Sequence, residues 1–330
     1  MKLSGKRILL FSPTFFDYSQ VLTKGFEDMG ATVDYYDERP SNSFWEKALV
    51  RVKPSLIRTY TNKYYDRVIE RTQNIVYDLV IFINAEAVSY SSLEKLKQIH
   101  SKSTFVFYIW DSLRNKGFDL NKLSFFDIRQ SFDKNDCEEY KLDFNPLFFS
   151  PKYENVALAA PQKENNKVFF VGTVHSDRYR FLLKIKNIAS KFDIGTFYYL
   201  FFPSKILYYK MKFTDKFFRN TKLSDFKYVP IEPSLMFEKF SESSMVIDIQ
   251  HPKQTGLTMR TIEVLGAKKK LITTNEAIKG YDFYNENNIL VVDRKNPVIP
   301  DNFFNLPYCE ISPEIYYSYS LRGWIEKLLF

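Results

Sequence analysis

The chain is short of the residues that define several protein classes. Two cysteines in 330 residues, Cys137 and Cys309, cannot build a disulfide framework and show no metal-ligand spacing. The three histidines stand far apart at 100, 175 and 251, so no His/Cys zinc site is expected, and neither a metal nor a cofactor is assigned. Ten glycines without a tandem period argue against repeat and fibrous architectures. No apolar run approaches the roughly 18 residues that a transmembrane helix needs. The opening MKLSGKRILLFSP joins a basic start to a short apolar run, but it stops at Ser12-Pro13 with no small-residue cleavage site. It reads as a first strand, and the expectation is a reduced, cytoplasmic protein.

What the chain does have is apolar and basic. At 45% hydrophobic and 18% aromatic it can fill two cores. Its net charge of +8 implies attraction to an anion: nucleic acid, a lipid surface or a phosphorylated ligand. Charge alone does not choose among them.

Strand-like apolar runs alternate with helical patterns. RILLFSP (7–13), TVDYYDER (32–39), YDLVIFINA (77–85), STFVFYIWDS (103–112) and FDIRQSFD (126–133) predict strands, and the unbroken apolar cores suit strands buried on both faces. In SSLEKLKQIH, Ser91 stands as a helix N-cap with Glu94 three residues on. The stretch 150–167, with its prolines, alanines and solvated charge, reads as an interdomain connection. A second set follows: KVFFVGT, a helix over 177–192, IGTFYYLFFP, a helix near 232–243, MVIDIQ, a helix over 258–268, KLITTN and NILVVDR. SYSLRGWIEKLLF closes the chain as an amphipathic helix. The predicted fold class is α/β: two Rossmann-like domains facing each other across a cleft, 1–150 and 151–315, with a closing helix at 316–330.

Ligands of open α/β sheets sit beyond the carboxyl ends of strands, so the residues just after each strand carry the candidates. VFFVGTVHSDRYR puts Gly172 and Thr173 at a strand end and opens the next helix with Arg178 and Arg180. VIDIQHPKQTGLT delivers His251, Lys253 and Thr255 after a strand, then Gly256, Leu257 and Thr258 at a helix start. Free N–H groups and the positive dipole end make such a start an anion site. Lys253 and Arg178 would add mobile positive charge for a diphosphate. Glu263, over a turn further along, can accept hydrogen bonds from a ribose diol. The blander reading of each residue is a helix cap or a solvated side chain.

FFVGTVHSDRYRFL, DIQHPKQTGLTMRTIEVLGAKKKLITTN and SFDKNDCEEYKLDFNPLFF resemble the bacterial GT-B glycosyltransferases of capsule, O-antigen and lipooligosaccharide assembly, especially the CgeB-like group. The resemblance covers most of 126–330 and is looser before that. It implies a nucleotide-sugar donor on the second domain, an acceptor on the first, and no obligatory metal. It places Gly172 and Thr173 in the glycine loop facing the donor, Lys253, Thr255, Gly256, Leu257 and Thr258 at the diphosphate, and Glu263 at the ribose. Many retaining GT-B enzymes carry two glutamates eight positions apart here. Thr255 stands where the first would be, which favours inversion.

An inverting transferase needs a base for the acceptor hydroxyl. The first domain offers Asp17 after the first strand, Glu86 after the third and Asp111 after the fourth, with Asp17 ranked first and Asp111 next. No Gly-x-Gly-x-x-Gly follows the first strand, which argues against a nicotinamide enzyme. In 201–229 lysines and arginines interleave with aromatics, as at a membrane interface with anionic lipid. Single-stranded nucleic acid would suit the same pattern. The expected function is sugar transfer from a nucleotide-diphosphate sugar to a glycan or lipid-linked acceptor, peripheral to the inner face of the cell membrane. The alternative is a noncatalytic nucleotide- or nucleic-acid-binding protein.

Overall fold

A computed structural model describes residues 2–39, 54–113, 118–159, 165–174, 177–250 and 256–330. The chain divides into two compact units, Met1–Phe148 with Tyr317–Phe330, and Phe149–Tyr316.

The first unit is built on six parallel strands: β1 (Arg7–Ser12), β2 (Thr32–Asp37), β3 (Leu79–Ile83), β4 (Thr104–Ile109), β5 (Ile128–Ser131) and β6 (Asp143–Phe144). They lie in the order β2-β1-β3-β4-β5-β6. Ile8–Phe11, Val80–Ile83 and Phe105–Ile109 are fully buried, as continuous apolar strands covered on both faces must be. Its helices are α1 (Tyr18–Asp28), α2 (Pro54–Thr72), α3 (Tyr90–Ile99) and α4 (Lys134–Tyr140). The cap of α3 is Ser89, whose Oγ accepts from Ser92 N–H at 3.2 Å, and not Ser91. The helix therefore begins two residues earlier than the capping pattern predicts.

The second unit opens with α5 (Pro151–Leu158), where the sequence suggests a connecting segment. Ser150-Pro151 starts a helix because proline at the first helical position loses no hydrogen bond. Tyr153 then holds it down, buried edge-on against Phe237 and Phe240. Five parallel strands follow, β7 (Asn165–Thr173), β8 (Gly195–Phe201), β9 (Ser243–Asp248), β10 (Lys270–Thr273) and β11 (Ile289–Val291), in the order β11-β10-β9-β7-β8. The helices among them are α6 (Arg178–Ser190), α7 (Lys205–Thr214), α8 (Pro233–Ser241) and α9 (Met259–Gly266), with α10 (Pro313–Ser318) after the last strand.

The last helix, α11 (Leu321–Leu329), belongs to the first unit. Trp324 is buried between Tyr108 and Phe148, with ring centroids 4.8 Å from each. Gly25 of α1 lets it approach: a Cβ there would lie 2.6 Å from Leu321. Among the described residues no helix is long and apolar enough to cross a membrane.

Candidate nucleotide and acid–base sites

The second sheet reverses direction between β7 and β9, since β8 lies on one side of β7 and β9 on the other. Adjacent strands whose crossovers leave in opposite directions open a crevice at their carboxyl ends. Gly172 and Thr173 end β7 there. A Cβ on Gly172 would meet the Phe170 ring at 2.9 Å, so the bare backbone is a packing requirement as well as an opening.

Arg178, the first residue of α6, folds back over this edge. Its Nη1 donates to Thr173 O at 3.0 Å and its Nη2 to Ile249 O at 2.8 Å. The guanidinium ties the ends of β7 and β9 together and is pinned, which corrects the expectation of a mobile charge. Among the described residues its buried Nε finds no acceptor. Burial pulls its pKa below the ordinary arginine value; Asp248 and Asp177 oppose that, while Arg260 and Arg294 add to it.

Those two arginines are the site residues that sequence reasoning missed. Arg260 Nη1 donates to Val171 O at 2.6 Å. Arg294 grips Asp177 with a fork of 2.7 and 2.8 Å and donates to Gln250 O at 2.9 Å. Their spacing of 82 and 116 residues from Arg178 carries no local signal; only the sheet order brings them together.

The start of α9 is held by the end of β9. Thr258 Oγ1 accepts from Thr261 N–H at 3.2 Å and donates to Asp248 Oδ2 at 2.6 Å, while Thr261 Oγ1 donates to the same oxygen at 2.8 Å. Asp248 is buried, and its two hydroxyl donors offset the cost of hiding a carboxylate. Thr258 is thus a helix cap, and the cap is what fixes the helix start against the strand. Gly256 and Leu257 precede it, both buried, with Asn275 Nδ2 donating to Gly256 O at 3.4 Å. Glu263 is half-buried in the second turn. His251, Lys253 and Thr255 lie outside the described residues. The structure brings Gly172, Thr173, Arg178, Gly256, Leu257 and Thr258 to one sheet edge and sets Glu263 on the helix that starts there.

In the first unit the sheet reverses between β1 and β3. Asp17, half-buried, occupies the N-cap position of α1 without capping it through its side chain. It follows Phe16, which sits at φ 48°, a left-handed backbone conformation rare for a bulky residue. Asp111 follows β4 and accepts from Asn84 Nδ2 at 3.4 Å. The residues beside these two acids, Tyr18 and Trp110, pack edge-on with centroids 6.2 Å apart. Glu86 is half-buried in the loop after β3, where Asn84 and Ala85 both take positive φ.

A fourth acid there, Glu38, was missed. It directly follows β2, is fully buried, and accepts from Ala87 N–H at 2.5 Å. Burial pushes its carboxyl up to about 7, and the Glu86 charge adds to this; the Ala87 and Val88 N–H groups and Arg39 pull the other way. Lys122 stands close by, with its buried ammonium donating to Ala85 O and Glu86 O at 3.3 and 3.2 Å. In the sequence Glu38 is one of three charged residues in a row, which reads as a solvated turn. Tyr65, from α2, buries it by donating to its carbonyl at 2.8 Å.

No family definition matches the chain in sequence, and no curated protein does. In three dimensions it is similar to solved structures over nearly its whole length. A glycosyltransferase from Rickettsia africae shares 12% identity at a TM-score of 0.57, covering 98% of this chain and 97% of that one. Anabaena HepE, solved in complex with UDP and glucose, shares 11% at 0.54 and covers 98% of each chain. The UDP-GlcNAc 2-epimerase of Neisseria meningitidis, bound to UDP-GlcNAc, shares 11% at 0.52, covering 98% of this chain and 99% of that one. Two parallel-sheet units and these likenesses define the GT-B fold of two Rossmann-like domains.

Proposed function

We propose that the protein is a glycosyltransferase that takes a sugar from a nucleotide-diphosphate donor. The observation that carries this is the β7/β9 edge, where Gly172, the half-buried Arg178 and the capped start of α9 meet. Backbone N–H groups at such a helix start, beside a guanidinium, suit a diphosphate. His251 and Lys253 fall between β9 and Gly256 in the sequence, and we assign Lys253 to the diphosphate, His251 to the donor nucleotide and Glu263 to the ribose. Neighbours of the same fold have been solved with UDP and with UDP-GlcNAc, which supports a nucleotide-sugar ligand.

The first unit supplies the base and the acceptor side. Asp17, or Asp111 after it, takes the proton from an acceptor hydroxyl as the hydroxyl oxygen attacks the anomeric carbon. The bond from that carbon to the diphosphate breaks, and the diphosphate leaves with its electron pair, its charge met by the cradle. Thr255 in place of a glutamate favours inversion, and the reading requires no metal. A glycan or lipid-linked acceptor of bacterial surface polysaccharide assembly, at the inner face of the cell membrane, is the setting we infer from the resemblance to the CgeB-like group.

The deciding experiment offers a panel of nucleotide sugars and follows donor consumption and the stereochemistry of the product. Saturable nucleoside diphosphate binding with release of sugar, or its transfer, supports the reading. A donor returned as its C2 epimer would reassign the protein to the epimerases that share the fold. Diphosphate binding with neither release nor transfer of sugar, or oligonucleotide binding without diphosphate binding, would favour the noncatalytic alternative.

A further inference from the structure

Helix α7 presents two apolar faces, and among the described residues only one of them is buried. Tyr208 points inward, fully buried among Phe202, Phe226 and Tyr209, and its hydroxyl donates to Thr221 O at 2.9 Å. Lys212 secures the same side by donating to Thr221 O at 2.8 Å. Phe218 and Phe226, from the segment that follows, are buried too. Four of the nine aromatics between 201 and 229 are therefore core.

The other face carries Ile206 and Phe213, which are 83% and 79% exposed, with Tyr209 between them at 47%. At about 100° per residue these three fall within an arc of roughly 60°, on the side of the helix away from Tyr208. Phe217, just past the helix, is 42% exposed. Single exposed apolar residues need no explanation, but an aligned set marks an interaction surface. Cations surround it. Lys205, Lys210, Lys216 and Arg219 are exposed, and Arg180 and Lys216 place their charges 4.6 and 5.3 Å from the Phe217 ring. Across 201–229 seven lysines and arginines face only Asp215 and Asp225, so this short segment holds more than half of the chain's net +8.

We propose that the outer face of α7, with Phe217, docks on an anionic lipid bilayer, its apolar stripe entering the acyl boundary and its cations meeting the headgroups. A second copy of the chain would bring like charges together across this face. Single-stranded nucleic acid would accept the cations and the rings, but it gains nothing from Ile206 at the head of the stripe, since bases stack on π-faces. The inference deepens the reading of a lipid-linked acceptor: the unit that carries the candidate donor cradle would itself sit at the membrane that holds such an acceptor.

Vesicles of phosphatidylcholine with phosphatidylglycerol, against pure phosphatidylcholine vesicles, test it by co-sedimentation, with UDP titrated into the same protein. Wild type should partition onto the anionic vesicles and release as salt rises. Ile206→Ser with Phe213→Ser should weaken partitioning by roughly tenfold or more, from the apolar area that no longer leaves water. Lys210→Glu with Lys216→Glu should weaken it by about 25-fold or more, at the usual contribution of a basic residue near an anionic surface. Both variants alter only exposed positions and should bind UDP as wild type does. Equal binding to neutral vesicles, no vesicle binding, unchanged binding by either double variant, or displacement from the same residues by a single-stranded oligonucleotide would overturn the proposal. Vesicle binding without UDP binding would leave this surface standing and remove the transferase reading instead.

Discussion

The two units share one topology and carry opposite charge at the same place. Each sheet is parallel, and each reverses direction beside its first strand in sequence, β1 in one unit and β7 in the other. Around the first reversal stand Asp17, Glu38 and Glu86, with Asp111 on the next strand's end and the buried Lys122 as counter-charge. Around the second stand Arg178, Arg260 and Arg294, with Asp177 and Asp248 held inside hydrogen bonds. The scaffold dictates where loops converge, and the loops decide which charge is stabilised there. Carboxylates can take protons from a hydroxyl, whereas guanidiniums and a helix start can hold a phosphate.

If that division of labour holds, substitutions in the two units should have separable effects. The largest is expected at the acid edge. Asp17→Asn keeps the side chain's shape and removes its proton-accepting form, so turnover should fall about 100-fold or more, the usual contribution of general base catalysis. UDP affinity should stay near wild type if the proposed cradle of the other unit sets it. Asp111→Asn is the matched control: a greater loss there transfers the role, and full activity of Asp17→Asn reduces Asp17 to a loop residue.

Glu38 sharpens the comparison through stability. Its folded carboxyl keeps the proton to about 7, whereas the unfolded one releases it near 4.5. Between those values the folded state binds more protons, so stability falls as pH rises through the window, by roughly 3 kcal/mol in all. Glu38→Gln removes the titration. Denaturant unfolding at pH 5 and pH 8 should show a smaller decline for the variant than for wild type, and parallel declines would mean that the carboxyl titrates normally.

For the proposed cradle, Lys253→Ala should weaken nucleoside diphosphate binding by roughly 1.5–3 kcal/mol, the range for a charge-assisted hydrogen bond, without altering the pH dependence of stability. An unchanged dissociation constant would remove Lys253 from the cradle. The smallest effect concerns metal. Exhaustive treatment with EDTA should leave sugar transfer unchanged, and restoration of lost activity by a divalent cation would contradict a metal-independent mechanism.

Much of this architecture was legible without coordinates. Runs such as LVIFI and FVFYI are too apolar for a half-exposed strand, so they predict parallel sheets covered on both faces, and the alternation with helices predicts two α/β units. The cap at Thr258 and the strand end at Gly172 were also local signals, because a hydroxyl before a helix and a glycine after a strand act through their nearest neighbours. Local reading failed where a distant partner decides the outcome. Pro151 and the alanines near it suggest a linker until Tyr153 meets Phe237 and Phe240. Glu38 looks solvated until Tyr65 and Ala87 close over it. Arg178 resembles a free cation until the carbonyls of Thr173 and Ile249 claim it, and Arg260 and Arg294 join it only because β7 and β9 are neighbours in the sheet. Hydrophobic period and capping chemistry act over a few residues, so the sequence alone determined most of the strands and several of the helices, in their order along the chain. Burial, charge pairing and proton affinity depend on groups far apart in the chain, so only the tertiary structure decided which acids and which cations meet.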